Sequence, residues 1–483
     1  MKFSKSLISS IQFTIIGALP FVSALVLLPF YSNYLSTELF GLLNVYISIS
    51  LLFQVLASFG IEQYVPVLFH DPEKSEAERM HYYSSALGVQ LLTAVVVLGL
   101  SLLFGSLLFS WLYPDSTLEF WPYGLMSIAT GVFNAYFRTE TTYLTNVLHT
   151  REYSLFNLFN FVLTVVLSIV FLYMWPGEIF GPLMGRLLSG AAIFLLAFSY
   201  QRKSHFPHFN SLHNNEIIRI SAVMLAYTGL MWVLNYVDRF VITGYCSLEL
   251  VAIYDFATKC LLPVEFVMMG LAGFVLPRIY KSWQGNYEKP PMTKAKTLLH
   301  AYLVASVAGV FLCMLFIPPI APFVIFNEKL FDSFSWIGLL GIVYFTRSLF
   351  SLYMGLLMLR KEQGKLVQAL FFSAIVQVVL LFLLVPLLDV LGAVIALTAG
   401  RVASLLFMKM QLSKRVTLDV NYGKMITYPM IISLVLIAAF MTERTFGYYI
   451  VAAVSAGISG LVTLFFFRKD LKRAYDLIFE RVN

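Results

Sequence analysis

The chain has 483 residues, of which 59% are apolar and 12% charged, and its formal net charge is +7. Soluble domains carry roughly a quarter of charged residues, so this composition excludes a soluble enzyme or a nucleic-acid-binding module and points to an integral membrane protein. Apolar runs of about 20 residues or more, enough to cross a bilayer as helix, recur along the whole length, whereas a β-barrel would show short alternating segments.

The N-terminal MKFSKSLISSIQF has the basic start of a signal peptide, but the apolar run continues to about Tyr31 with no small-residue cleavage pattern, and it reads as a retained first helix. Apolar runs between polar breaks predict about fourteen transmembrane helices in an all-α chain, centred near residues 20, 50, 96, 134, 165, 190, 232, 264, 307, 346, 377, 400, 433 and 457. With a cytoplasmic N-terminus, 25 of the 33 basic residues fall on inside segments, among them Lys2, Lys5, Lys74, Lys203, Arg278, Lys294, Lys414, Arg415 and Arg481. Only Lys329 and Arg444 fall outside, which is the positive-inside asymmetry and puts both termini in the cytoplasm. Inside loops near residues 62–83, 201–219 and 278–296 and an outside loop near 319–334 are too short for a soluble catalytic domain. Cys246, Cys260 and Cys313 lack CxxC spacing, so they read as small core residues, and no metal site or cofactor is expected.

An internal repeat runs through the apolar sequence. YLSTELFG (34–41) recurs as YCSLELVA (245–252) at an offset of 211, and GRLLS (185–189) recurs as GRVAS (400–404) at 215. TYLTNVLHTRE (142–152) faces LYMGLLMLRKE (352–362), pairing Tyr143 with Tyr353 and Glu152 with Glu362 at 210. Six helices separate each pair, so the repeat is parallel. It predicts two six-helix lobes, 1–200 and 217–412, then two extra helices within 425–467 and a basic cytoplasmic tail, 468–483.

Six cations are left for the spans: Arg138, Arg186, Arg239, Lys259, Arg347 and Arg401. The acids with them are Glu140, Asp238, Asp255 and Glu265. A charge at the bilayer centre costs about 2.5–3.5 kcal/mol on insertion scales, so each should face a bundle interior or a wet cavity. Asn134, Arg138, Thr142 and Thr145 share one helix face, as do Tyr344, Arg347, Ser351 and Gly355. One expectation is that these cations simply pair with the acids or snorkel; Asp255 and Lys259 stand at i and i+4. The other is that the surplus of cations holds an anion such as pyrophosphate, which arginine binds bidentately. Asp238, Asp255 and Glu265 are candidates for ion coupling. At offset 211 Asp238, Arg239, Asp255 and Lys259 align with Leu27, Leu28, Asn44 and Ser48, so those four charges belong to the second lobe alone.

YLSTELFG after the first helix is similar to the Leu-x-x-Glu-x-Phe-Gly turn of the Wzx-type polysaccharide flippases, and DRFVITGYCSLELVAIYDFATK resembles their Asp-Arg pattern running into Gly/Ala-x-Tyr-x-x-Ala-x-Lys. Asp238, Arg239, Tyr254, Ala257 and Lys259 occupy those positions, with Ala252 where a glycine is common. The resemblance places the chain in the multidrug/oligosaccharidyl-lipid/polysaccharide exporter superfamily. It implies that the chain is not an enzyme but moves an oligosaccharide carried on polyprenyl pyrophosphate across the bacterial cytoplasmic membrane, through a cavity that alternates its access. Its implied partners are that lipid-linked cargo, membrane lipids and the polymerase and chain-length machinery of surface polysaccharide assembly. A cation-coupled multidrug exporter and a lipid II flippase are the alternatives within the same fold; a membrane polymerase or ligase is the alternative from the enzyme class.

Overall fold

A computed structural model describes residues 16–17, 19–71, 73–114, 118–204, 206–208, 211–283, 285, 288–289, 292–413 and 422–479. Of the basic residues named above, Lys2, Lys5, Lys414, Arg415 and Arg481 lie outside it, as do the side chains of Lys203, Arg278 and Lys294. Among the described residues all regular structure is helical.

The first unit, Met1–Ala252, opens with α1 (Leu19–Tyr34), α2 (Thr37–Ser58) and α3 (Ile61–Phe69). Then come α4 (Glu76–Leu112), α5 (Leu125–Asn146), α6 (Thr150–Met174), α7 (Phe180–Ser204) and α8 (Ser211–Tyr245). Helix α9 (Leu248–Cys260) runs across the boundary into the second unit, Ile253–Asn483. That unit continues with α10 (Leu262–Trp283), α11 (Met292–Ile320), α12 (Phe334–Phe345), α13 (Arg347–Leu359), α14 (Gln363–Ser413), α15 (Tyr422–Phe446) and α16 (Tyr448–Phe479). Counting α2–α3, α9–α10 and α12–α13 as interrupted single spans, and dividing α14 at Asp389, where φ is 49°, gives the fourteen spans expected. Ten helices, among the described residues, are long and apolar enough to cross a membrane by length and composition alone.

Three boundaries differ from the sequence reading. Residues 62–83, expected as a loop, hold α3 and the start of α4, because Ser75 and Glu78 form a capping box that starts a helix in a polar stretch. The Ser75 amide donates to Glu78 Oε2 at 2.7 Å and the Glu78 amide to Ser75 Oγ at 3.3 Å. At the other end, α16 continues through the basic residues 468–473 to Phe479. Residues 211–216, expected largely as loop, already belong to α8.

The repeat is visible as identical local geometry. Ser36 Oγ accepts the Leu39 amide at 3.2 Å, and Ser247 Oγ accepts the Leu250 amide at 3.2 Å, so the duplicated turn makes the same helix N-cap twice. Ser189 Oγ donates to the Arg186 carbonyl (3.0 Å) and Ser404 Oγ to the Arg401 carbonyl (2.7 Å). The α5 and α13 ends correct the register proposed there. His149 donates to the Leu144 carbonyl across Leu148, whose φ is 59°, and Glu362 donates to the Leu357 carbonyl across Lys361, whose φ is 57°; both bonds are 2.9 Å. These matching turns set the offset at 213, not 210. Sequence identity at Tyr143/Tyr353 misled the alignment by nearly one helical turn, because in an apolar helix a three-residue slip leaves the buried face almost unchanged.

Within the first unit, α8 packs on α2, α3 and α4. Trp232 Nε1 donates to the Ser48 carbonyl (3.0 Å). Lys74 Nζ lies 2.9 Å from Glu216 Oε1, whose other oxygen accepts Tyr82 Oη at 2.9 Å. Burial pulls the Lys74 ammonium down, but the hydrogen bond and charge of Glu216 outweigh it and hold the ammonium above its ordinary value. Gly60, between α2 and α3, has φ 71°, and a Cβ there would stand 2.3 Å from the Ser221 carbonyl oxygen on α8. Gly60→Ala is therefore expected to lower stability by about 1–3 kcal/mol, measured as thermal unfolding of the purified chain. Gly229→Ala on α8, where nothing lies within 4 Å, should leave it unchanged or raise it by up to about 1 kcal/mol.

Candidate functional site

The expected site residues are distributed over both units, and most are already paired. In the first unit Arg138, on α5, meets Glu62 at 3.0 Å, in the first turn of α3. Arg138 keeps 49% of its side-chain surface exposed, so its guanidinium stays reachable by a further anion. Arg239, on α8, is buried with Asp238, which is 1% exposed. Asp238 Oδ1 accepts both the Arg239 Nη1 (2.9 Å) and the Arg239 amide (2.9 Å), and Nη1 also donates to the Asn235 carbonyl (2.7 Å). The Tyr236 ring centroid is 5.1 Å from the Arg239 guanidinium carbon, and the Tyr236 hydroxyl is within electrostatic range of Arg138. Trp232, Tyr236 and Phe240 follow at i, i+4 and i+8, so α8 presents an aromatic stripe beside these cations. Tyr153 on α6 is also within electrostatic range of Arg138.

Arg186 is half-buried on α7, within electrostatic range of the hydroxyl of Tyr31 on α1. Among the described residues no carboxylate lies within ion-pair distance of it. The preceding Gly185 is what lets α7 lie against α6: a Cβ there would fall 2.6 Å from the Ser168 Cα.

In the second unit Asp255 and Lys259, one turn apart on α9, form the i, i+4 pair at 2.8 Å. Arg347, the first residue of α13, pairs with Glu265 in the first turn of α10. The Tyr344 ring lies 4.6 Å from the Arg347 guanidinium carbon, and Tyr302 of α11 faces the same pair. Arg401 is half-buried in the second half of α14. The two arginine–glutamate pairs use corresponding spans, the fourth with the second and the tenth with the eighth. At the corrected offset of 213, however, Arg138 corresponds to Ser351, one turn from Arg347, so the pairs sit at different depths. In each repeat the glutamate stands just past an interruption of the second span, where exposed amides and the helix dipole favour a negative charge.

Glu62 was missed by sequence reasoning because it was assigned to a loop; the signal that would have found it is its place four residues after Ser58 and just beyond Phe59-Gly60, a helix break. Among the described residues there is no group of three or more His, Cys, Asp or Glu side chains able to hold a metal ion. Cys260 and Cys313 are buried, and Cys246 is half-buried.

Residues 8–283 match the family described as polysaccharide biosynthesis protein, more than half of the chain. The chain belongs to that family. No curated protein matches it. In fold, this polysaccharide biosynthesis protein is similar to lipid II flippase MurJ in an inward closed conformation, at a TM-score of 0.65 and 16% identity over 96% of this chain and 98% of that one. It is also similar to a multidrug resistance MATE family transporter of the MOP superfamily in its inward-facing conformation, at 0.58 and 15% identity over 81% of this chain and 98% of that one. For the outward-facing conformation of a MATE family transporter the values are 0.55 and 15%, over 85% and 96%. These TM-scores establish a shared fold.

The pairings have a measurable consequence. Glu62→Gln leaves Arg138 uncompensated and is expected to cost about 1–2 kcal/mol, below the value for a fully buried pair because Arg138 is half-exposed. The double substitution Glu62→Gln with Arg138→Gln should recover most of that loss in a thermal-unfolding double-mutant cycle; losses that simply add would refute the pairing.

Proposed function

We propose that this polysaccharide biosynthesis protein is a flippase that moves an oligosaccharide linked to polyprenyl pyrophosphate across the bacterial cytoplasmic membrane, by alternating access and without a covalent step. The observation that carries this reading is the pair of arginines in the first unit, Arg239 against the Tyr236 ring in the aromatic stripe of α8 and Arg138 half-exposed beside Glu62, inside an otherwise apolar bundle. Pyrophosphate takes arginine bidentately, sugar rings stack on aromatic faces, and the prenyl tail needs only lipid. Arg186, Lys259, Arg347 and Arg401 are further contacts in this proposal, and Asp238, Asp255, Glu265 and Glu62 are the counter-ions that the cargo displaces. The family supports a role in polysaccharide assembly, here of O-antigen, capsule or exopolysaccharide, with the cargo handed on to a polymerase. The sign of the loop charges supports an orientation with both termini in the cytoplasm.

The test is complementation of a host lacking its own flippase. Arg138→Ala is expected to lower surface polysaccharide about 10- to 100-fold, the equivalent of losing about 1.5–3 kcal/mol of charge-assisted hydrogen bonding, at unchanged protein level. Lipid-linked oligosaccharide should accumulate, and Arg138→Lys should restore part of the glycan. Arg347→Ala and Arg401→Ala are expected to act in the same direction. Normal glycan at normal protein levels would overturn the reading, and drug resistance that follows expression would favour a multidrug exporter instead.

A further inference from the structure

Glu140, on α5, stands apart from the other acids of the spans. Asp238, Asp255 and Glu265 each face a cation, but Glu140 is 0% exposed and, among the described residues, no cation lies within ion-pair distance of it. Tyr83 Oη of α4 donates to its Oε2 at 2.9 Å, and Gln201 Nε2 of α7 donates to the same oxygen at 2.5 Å. The other oxygen, Oε1, has no hydrogen-bond partner, and neither has Gln201 Oε1. The titratable groups facing Glu140 are Tyr83 from α4, Tyr136 and Tyr143 from α5 and Tyr200 from α7, all phenols. From α3 the neighbour of this cluster is the Phe69 ring, against Tyr83 and Tyr143.

Two donors meet on one oxygen while the other receives none, so nothing here offsets a full negative charge shared by both oxygens. The carbonyl oxygen of a protonated carboxyl has two lone pairs to fill, and the hydroxyl oxygen supplies a donor. An ionised carboxylate shut away from water and from any cation would cost far more than the neutral form. We propose that Glu140 is a proton-binding site: Oε1 carries a proton at neutral pH while α4, α5 and α7 close around it, and releases it when water enters that end of the bundle. Tyr83 lies near the start of α4, and Glu140 and Gln201 near the ends of α5 and α7, which is the cytoplasmic end in the orientation proposed above. A link between this proton and the flipping cycle rests on the transport reading; the proton itself does not.

Infrared difference spectroscopy of the full chain in lipid nanodiscs, without added glycan, tests it. At pH 7 the wild type should show the C=O band of a buried protonated carboxyl, and Glu140→Gln should lose it. Tyr83→Phe removes one donor to that carbonyl, so it should keep the band but shift it to higher frequency, which preserves the test if Glu140→Gln fails to fold. A wild type lacking the band at pH 7, a band surviving in Glu140→Gln, or a carboxylate band at pH 7 that answers to sodium would each overturn the proposal. Because no glycan is present, that failure leaves the flippase reading standing, and failed complementation leaves the proton site standing.

Discussion

An ion inside an apolar bundle is best tolerated beside its counter-ion, and four cations of the spans are arranged to meet that condition. Arg138 reaches Glu62, Arg239 its chain neighbour Asp238, Lys259 reaches Asp255 and Arg347 reaches Glu265. Each pair lies within one compact unit. Two of them join helices distant in sequence, so the ionic pairs hold the interrupted second span of each repeat against its fourth. Such pairs add little to stability in themselves, since desolvation offsets most of the attraction. Their effect is to hold the guanidinium and ammonium groups in fixed positions within the bundle.

The same condition shapes what the bundle can bind. An arginine held by a single carboxylate still has donors to spare, because guanidinium offers five N–H groups and one carboxylate engages two. A cargo anion that brings more negative charge than a glutamate competes for the same guanidinium. Arg138, half-exposed beside Tyr236, is the most open of these sites. Glu140 follows the rule from the other side: with no cation to meet, an acid buried among tyrosines is best accommodated without its charge.

Much of this was legible in the sequence. The span pattern follows from unbroken apolar runs, because hydrocarbon demands helices that satisfy their own backbone. The duplicated turn was readable in YLSTELFG and YCSLELVA, and the Ser36 and Ser247 caps give it the same hydrogen bond twice. The pairing of Asp255 with Lys259 was readable because i, i+4 spacing is local. Glu62 was not, since the break at Phe59-Gly60 that turns it toward Arg138 carries no apolar signature. The α5/α13 register was not either, because three residues is close to one helical turn and the apolar pattern barely changes over it.

By itself the sequence determined that the chain is an all-α membrane protein with about fourteen spans, a parallel internal repeat and more intramembrane cations than the acids it placed beside them. These properties live in composition and in spacings within one helix, and so need no knowledge of which helices touch. Only the tertiary structure decided which acid serves which cation, that α8 packs with the first unit, and that Glu140 has tyrosines and a glutamine where a cation would be expected. Those outcomes depend on how each helix is rotated against its neighbours, and an apolar helix leaves that rotation to the packing of glycines such as Gly60 and Gly185, whose missing side chains admit another backbone.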